Sequence, residues 1–266
     1  MSWVAAVDYR RGSLRQRRGL PCQDYGKLRK VGDDLVIGVL SDGSADAPLA
    51  QLGTKAVVRS AMGYLTQRVE GDPDTARRLS DSLGLFDGML EQVRAALKTT
   101  AHQIETRPES LACTLLAFIA GPSGIAAQQI GDGFLACRTQ AAGYDYLFHP
   151  AATERPSRSR TFVTSPEAVR IDAIKALSCP VEFICAGTDG MGAASDRRGP
   201  VRPENPFLQK LDDYVATTRN DTEVHEGIRR ILRSGRLADR AEDDMALMIC
   251  AWRAGNQLDN AARPAA

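Results

Sequence analysis

Apolar and polar residues alternate along the chain in blocks that predict eight strands and four helical segments. Strand-like apolar runs occupy residues 3–7, 35–40, 111–120, 124–130, 134–138, 144–148, 181–186 and 245–252. Several runs are almost continuously apolar, which is typical of strands covered on both faces. Apolar residues at helical spacing cover 47–70 and 75–106, with a break expected at Gly84 or Gly88, and a later pair covers 206–218 and 221–234.

This order of elements predicts one α+β domain in which helical pairs pack over sheets. No linker divides the chain, so we expect a single domain over residues 1–253 and a disordered tail over 254–266, which is rich in alanine and polar residues. The segments 10–21 and 150–165 are rich in Arg, Ser, Gly or Pro, and we expect both to be long loops.

Composition argues against several classes of partner. A formal net charge of +1 and an aromatic content of 6% give no basis for binding nucleic acid or an anionic membrane. No apolar run approaches the roughly 18–20 residues of a membrane span, and we expect a cytoplasmic protein. The six cysteines form no C-x-x-C pair and four lie within apolar runs, so we expect buried free thiols.

Candidate chemistry comes from three apolar runs that end in the dipeptide Asp-Gly. The dipeptides are Asp42-Gly43, Asp132-Gly133 and Asp189-Gly190. Each alone is a turn signal. If the sheet gathers these carboxylates, cations or protons must neutralise them, and oxygen-only clusters suit Mg²⁺ or Mn²⁺. Two such ions about 3.5–4 Å apart can share a hydroxide that attacks phosphorus. The spacing alone identifies no family.

The order of six short motifs resembles the type 2C (PPM) metal-dependent serine/threonine protein phosphatases. The motifs are CQD, VLSDG, ACTLLA, QIGDG, TDGM and EDDMALMI, and the resemblance runs over residues 3–252. The similarity is greatest to the divergent bacterial branch, where GLPCQD stands near the N-terminus and TFVTSPEA precedes the TDG strand. The resemblance implies a four-layer αββα sandwich with two central, mainly antiparallel β-sheets flanked by helical pairs. It also implies hydrolysis of phosphoserine or phosphothreonine by a hydroxide that bridges two Mn²⁺ or Mg²⁺ ions.

The resemblance also implies roles for the acidic residues. Asp42 would bridge both core metals, and the Gly43 carbonyl would bind one of them. Asp189 and Asp243 would complete the coordination of the other metal. Asp24 would anchor metal-bound waters.

Four further positions concern a third metal, a supporting residue and departures from the family pattern. Asp132, together with Asp189, would form a third, weaker metal site, and Asp244 would support the site rather than bind metal. Gln23 stands where many members carry a carboxylate ligand, and an amide is a weaker ligand. Ser44 stands where many members carry a His that has been viewed as the acid for the leaving group.

In the same family, an arginine on the N-terminal loop grips phosphate, because a guanidinium can form a two-pronged contact with it. The loop here offers five arginines. Arg17 and Arg18 lie nearest to Asp24 in sequence, and we favour Arg18. The other candidates are Arg10, Arg11 and Arg15.

Two alternatives stay open at this point. Gln23 and Ser44 are compatible with a degenerate phosphatase-like module that binds a kinase or phosphoprotein without efficient turnover. The carboxylates alone are also compatible with another metal-dependent hydrolase, such as a nuclease or phosphodiesterase. For partners, we expect a phosphorylated protein substrate linked to a serine/threonine kinase and a von Willebrand A-like protein, and we expect a monomer.

Overall fold

The computed structural model describes residues 2–72, 79–139, 143–150, 161–168, 173–193, 206–238 and 241–253. The tail predicted over 254–266 and residues 151–160 of the second predicted loop lie outside the described residues. Within the described residues, no helix combines the length and apolar character needed to cross a membrane.

In the described part of the chain, ten strands form the centre of the molecule. They are β1 (Ser2–Arg10), β2 (Tyr25–Val31), β3 (Leu35–Ser41), β4 (Leu115–Gly121), β5 (Gly124–Ile130), β6 (Phe134–Thr139), β7 (Tyr144–Phe148), β8 (Ala173–Leu177), β9 (Val181–Gly187) and β10 (Met245–Arg253). The α-helices are α1 (Ser13–Arg17), α2 (Ala50–Gly71), α3 (Met89–Gln103), α4 (Pro206–Thr217), α5 (Asp221–Arg233) and α6 (Gly235–Ala238). Short 3₁₀ helices cover Leu79–Phe86, Pro108–Leu111 and Asp189–Ala193.

The strands form two five-stranded sheets, with the orders β1-β10-β9-β6-β7 and β2-β3-β4-β5-β8. Every neighbouring pair of strands is antiparallel. One apolar cluster fills the space between the sheets. A second joins α2 and α3 to the β2–β8 sheet, and a third joins α4 and α5 to the β1–β7 sheet. This arrangement confirms the four-layer αββα sandwich.

Strand β3 shows why the apolar runs are continuous. Leu35, Ile37 and Val39 belong to the cluster under α2 and α3, whereas Val36 and Leu40 belong to the cluster between the sheets. Because alternate side chains of a strand point to opposite faces, a strand buried on both faces needs apolar residues throughout. All seven residues of β3 are buried.

The structure corrects several sequence-based boundaries. Residues 10–21 are not a simple loop, because α1 lies within them. Of the helix predicted over 75–106, residues 79–86 form a 3₁₀ helix, and α3 follows the expected break at Gly88, whose φ is 85°. The strand predicted from residue 111 begins at Leu115, because Pro108–Leu111 is a 3₁₀ helix. All six cysteines are free thiols, and four of them are buried, as expected.

Candidate functional site

The three Asp-Gly turns come together at one end of the sandwich. Oxygen atoms of Asp42, Asp132 and Asp189 all lie within 4.8 Å of one another. Asp42 directly follows β3, Asp132 lies in the turn between β5 and β6, and Asp189 follows β9. Since β3 and β5 belong to one sheet and β9 to the other, the carboxylates meet where the two sheets adjoin.

Asp24 adds a fourth carboxylate beside Asp42. The Asp24 side chain is buried, and its Oδ2 accepts a hydrogen bond from the Thr188 hydroxyl at 2.6 Å. Its Oδ1 is buried as well and accepts no hydrogen bond from the described residues. Burial is the main reason that the pKa of Asp24 is raised, and the charges of Asp243 and Asp244 raise it further.

The same physical causes act on Asp42. Burial raises the pKa of its carboxyl well above the ordinary value, and the charges of Asp24 and Asp189 add to the effect. The charge of the half-buried Asp243 also contributes, but Asp243 is not among the carboxylates that lie within 4.8 Å of one another. A group of buried carboxylates that raise one another's pKa is unfavourable until protons or cations neutralise it.

The residues just before strand β4 fix the backbone of the Asp42-Gly43 turn. The Asp42 N–H donates to Thr114 Oγ1 at 2.9 Å, and the Thr114 N–H donates to the Asp42 carbonyl at 2.8 Å. The Ser41 hydroxyl donates to the Thr114 carbonyl at 2.6 Å. Gly43 forms an isolated antiparallel bridge with Cys113. The turn is therefore tied to the chain immediately before β4.

The Asp189 turn is tied to β10 in a similar way. Thr188 Oγ1 accepts the N–H of Ala246 at 2.8 Å, and the Thr188 N–H donates to the Ala246 carbonyl at 3.2 Å. At Gly190, a Cβ atom would lie 1.9 Å from the Asp244 carbonyl oxygen, so only glycine permits this approach. Asp189 is consequently held against the acidic segment that precedes β10.

Asp244 is buried and holds the N-terminal segment in place. Its Oδ1 accepts the Gly12 N–H at 2.7 Å, and its Oδ2 accepts the Gln23 N–H at 2.6 Å. Arg15 Nε lies 3.3 Å from Asp244 Oδ2. These contacts agree with a supporting role for Asp244.

Gln23 directs its amide to neighbouring groups of the protein. Its Oε1 accepts a hydrogen bond from the Arg15 guanidinium, and its Nε2 donates to the Ala47 carbonyl at 3.1 Å. Gln23, which we expected to be a weak metal ligand, therefore connects α1 to the segment that follows the Asp42-Gly43 turn.

The arginine nearest to the acidic residues in space is not one of the two that lie nearest to Asp24 in sequence. Arg15 has a side chain that is only 12% exposed and that contacts Asp244 and Gln23, whereas Arg17 and Arg18 are exposed. Arg10 and Arg11 donate to the carbonyls of Leu232 and Leu20 respectively. The structure brings Arg15 to the acidic residues, and a phosphate-binding role for Arg17 or Arg18 stays a prediction.

Ser44, the residue that departs from the family's His, is buried. Its N–H donates to the Ala112 carbonyl at 2.9 Å, and its Oγ accepts the Asp46 N–H at 3.4 Å. Ser44 thus caps the turn after Gly43.

The donor set fits hard divalent cations. It consists of carboxylate oxygens on rigid strand ends, and the buried Asp24 Oδ1 has an unused acceptor position. Mg²⁺ and Mn²⁺ prefer oxygen ligands, and their charge would remove the electrostatic penalty at Asp24 and Asp42. Thr114 and Thr188 are the supporting residues that sequence reasoning missed, although they lie within the ACTLLA and TDGM motifs, and Arg15 was ranked below Arg17 and Arg18.

Comparison with known proteins identifies the family. A family model described as protein phosphatase 2C matches residues 11–233. The chain belongs to the protein phosphatase 2C family. A curated relative, serine/threonine-protein phosphatase 3 of Escherichia coli strain K12, is 26% identical to this protein phosphatase over 263 residues, which cover 95% of this chain and 99% of the relative.

Solved structures agree with the fold of this protein phosphatase. PppA, a key regulatory component of T6SS in Pseudomonas aeruginosa, has a TM-score of 0.62 at 14% identity and covers 94% of this chain and 98% of its own. RsbX, solved in complex with magnesium, has a TM-score of 0.55 at 12% identity and covers 94% of each chain. The resemblance inferred from the six motifs is confirmed.

Proposed function

We propose that this chain is a metal-dependent phosphatase that hydrolyses phosphoserine and phosphothreonine in proteins. The observation that carries the proposal is the meeting of Asp42, Asp132 and Asp189 within 4.8 Å at the junction of the two sheets. Family membership supplies the reaction class, and the E. coli relative named as a serine/threonine-protein phosphatase supports the choice of substrate.

The acidic residues are proposed to hold two Mn²⁺ or Mg²⁺ ions, with a third ion at a weaker site. Asp42 and the Gly43 carbonyl serve the first ion, and Asp42 serves the second together with Asp189 and Asp243. Asp132 joins Asp189 at the third site. The magnesium complex of RsbX, a structural neighbour, is compatible with this choice of cation.

The neighbouring residues prepare the site. Asp24 is proposed to orient water through Oδ1, because its Oδ2 is already engaged by the Thr188 hydroxyl. When bound, the cations would supply a hydroxide at neutral pH and offset the negative charge of the phosphate. Because the Gln23 amide already bonds Arg15 and Ala47, we assign it a supporting role in this state.

Phosphate recognition is proposed to fall to the N-terminal arginines, and Arg15 now joins Arg17 and Arg18 as a candidate. The Arg15 guanidinium lies against Asp244 and Gln23 at the border of the acidic group. A planar guanidinium can bind two phosphate oxygens at once. Since Ser44 is buried and bonded to the backbone, the released serine or threonine oxygen takes its proton from water.

A degenerate, partner-binding module is the second candidate. The engagement of Gln23 with Arg15 favours it, since this removes one ligand that related sites supply as a carboxylate. Under either function, we propose that the partners are phosphoproteins of a signalling system, and that a serine/threonine kinase and a von Willebrand A-like protein are among them.

Hydrolysis of two substrates across a Mn²⁺ titration tests the proposal. We expect phosphate release from a phosphothreonine peptide to rise with Mn²⁺ and to stop in excess EDTA, with a phosphodiester hydrolysed far more slowly. Turnover that persists in EDTA would contradict the metal-dependent mechanism. Mn²⁺ binding by calorimetry without turnover would support the degenerate module.

A further inference from the structure

Residues 161–168, here called the strap, lie beside the site on the side of helix α3. Their sequence is TFVTSPEA. Val163 and Ala168 are fully buried in the cluster formed with α2 and α3. The Phe162 N–H donates to Ser165 Oγ at 3.0 Å, and the Ser165 N–H donates to the Phe162 carbonyl at 2.9 Å. The strap is thus a compact turn with a buried anchor.

Arg94 of α3 fastens the strap from the helix. Its Nε donates to the Val163 carbonyl at 2.8 Å, and its guanidinium also donates to the Ser165 carbonyl. The side chain is half-buried. Because the guanidinium donors have a rigid planar arrangement, two bonds to carbonyls two residues apart fix both the position and the orientation of the strap.

On its other side, the strap bonds to the residue that supports the Asp42-Gly43 turn. The Val163 N–H donates to the Cys113 carbonyl at 2.8 Å. Cys113 in turn forms the antiparallel bridge with Gly43, and the adjacent Thr114 exchanges hydrogen bonds with Asp42. Cys113 therefore lies between the strap and the turn that carries the central carboxylate.

Phe162 makes a second connection to the same turn. It packs against a small apolar cluster that contains Ala47, Ala50 and Ala112. The Ala112 carbonyl accepts the N–H of Ser44, the residue that follows Gly43. The strap thus contacts both the backbone before β4 and the segment that follows the turn.

We propose that Arg94 is a positioning residue for the phosphatase reaction: it fastens the strap, and the strap fixes the Asp42-Gly43 turn through Cys113. The proposal rests on the proposed function for its effect on catalysis. The effect of Arg94 is transmitted through its two hydrogen bonds to strap carbonyls and through the backbone bridge between Cys113 and Gly43. Loss of groups that support metal ligands typically costs about 10- to 100-fold in activity or metal affinity.

Three variants separate positioning from general stability. Arg94→Ala removes both bonds, Arg94→Lys keeps a charge and can restore one of them, and Arg68→Ala is the matched control. Arg68 also donates from a helix to a backbone carbonyl, that of Gly84, at 3.0 Å, but it is exposed and belongs to the contact between α2 and the Leu79–Phe86 helix.

Two measurements are made on each full-length variant. The first is amide hydrogen exchange of the metal-free protein, followed in peptides that cover the strap and residues 42–44. The second is the kinetics of phosphothreonine-peptide hydrolysis at saturating Mn²⁺. We expect Arg94→Ala to exchange faster in both peptides and to lose kcat by about tenfold with KM nearly unchanged. Arg94→Lys should be intermediate, and Arg68→Ala should match wild type.

Faster exchange confined to the strap, or an unchanged kcat in Arg94→Ala, would overturn the proposal. If Arg94→Ala does not fold, the hydrogen exchange and kcat of Arg94→Lys and Arg94→Gln are compared with those of the wild type instead. Should the wild type show no phosphatase activity, the proposed function fails, but the exchange of residues 42–44 still decides whether Arg94 positions the turn.

Discussion

At the scale of single residues, the negative charge of the site is concentrated in carboxyl groups that the fold keeps away from water. Asp24 and Asp42 are 2% and 5% exposed, and each is surrounded by further carboxylates. Burial disfavours the charged form, and like charges nearby add to the effect. Without cations, this arrangement costs folding free energy, which the binding of cations would recover.

A pH dependence of stability follows for the metal-free protein. The pKa values of Asp24 and Asp42 are raised on folding, so the folded state binds more protons than the unfolded state above the ordinary carboxyl pKa of about 4. The free energy of unfolding must therefore decrease as the pH rises through this window. We expect the melting temperature in EDTA to fall between about pH 5 and pH 8.

The variant Asp42→Asn tests whether the buried carboxyl groups cause this pH dependence, because it removes one of the two with little change in shape. Its melting temperature should depend less on pH than that of the wild type. Identical pH profiles for the two proteins would show that these carboxyl groups do not govern the stability of the metal-free protein.

Arg15 provides a test of phosphate recognition. Hydrogen bonds that involve charged groups contribute about 1.5–3 kcal/mol, so we expect Arg15→Ala to lower kcat/KM by about 10- to 100-fold. Arg15→Lys should restore activity only in part, since lysine lacks the planar pair of donors. The double variant Arg17→Ala/Arg18→Ala is the control and should stay near wild type. A larger loss in the double variant would return the role to Arg17 or Arg18.

The acidic residues could be predicted from sequence, but the arginine could not. The Asp-Gly dipeptides mark strand ends, and strand ends of a compact sandwich meet at few places, so their gathering follows from the pattern. The direction of the Arg15 side chain depends on α1, a five-residue helix. Hydrogen bonds to backbone groups far away in the sequence hold this helix in position. The Ser13 N–H donates to the Ala241 carbonyl and the Leu14 N–H to the Glu242 carbonyl, each at 3.2 Å.

At the scale of elements, the site depends on the close approach of the Asp189–Ala193 helix to the segment before β10. Gly190→Ala would place a Cβ atom 1.9 Å from the Asp244 carbonyl oxygen and would force these segments apart. Since misplacement of reacting groups by about 1 Å can cost roughly 100-fold in rate, we expect a large loss of kcat together with a lower melting temperature.

Gly63→Ala is the matched control for that substitution. Gly63 lies on α2, and a Cβ atom there would meet no heavy atom within 4 Å. Alanine at an exposed helical position should stabilise the protein by about 0.5–1 kcal/mol, with activity unchanged. Equal activity in Gly190→Ala and Gly63→Ala would show that the contact with Asp244 does not position the site.

Strands buried on both faces coincide well with the apolar runs, whereas the partly exposed β2 and the edge strand β8 lie outside those runs. The run 124–130 coincides with β5, and the run 181–186 ends one residue before the end of β9. Strand β2 escaped the apolar pattern because it is partly exposed and carries Lys27, Arg29 and Lys30. Strand β8 is a five-residue strand at the edge of its sheet. Such strands are defined by pairing with a neighbour rather than by their own composition.

At the scale of the whole molecule, the site is assembled from both sheets. Asp42 and Asp132 follow strands of one sheet and Asp189 follows a strand of the other, so their separation is set by the packing between the sheets. The interface between the sheets is apolar and buried. Phe118 and Leu40 of one sheet belong to the same apolar cluster as Ile184 and Met248 of the other. The resemblance over six ordered motifs predicted this architecture, which composition and periodicity alone could not have distinguished from other α+β arrangements.

The most direct measurement is phosphate release from a phosphothreonine peptide by the wild-type protein, Asp42→Ala and Asp46→Ala at saturating Mn²⁺. Asp46 is an exposed neighbour and serves as the control. We predict release by the wild type and Asp46→Ala, none in excess EDTA, and almost none by Asp42→Ala. The last variant should be at least as stable as the wild type without metal, because one repulsive charge is gone. Release at a near wild-type rate by Asp42→Ala would contradict the assignment of Asp42 as the central metal ligand.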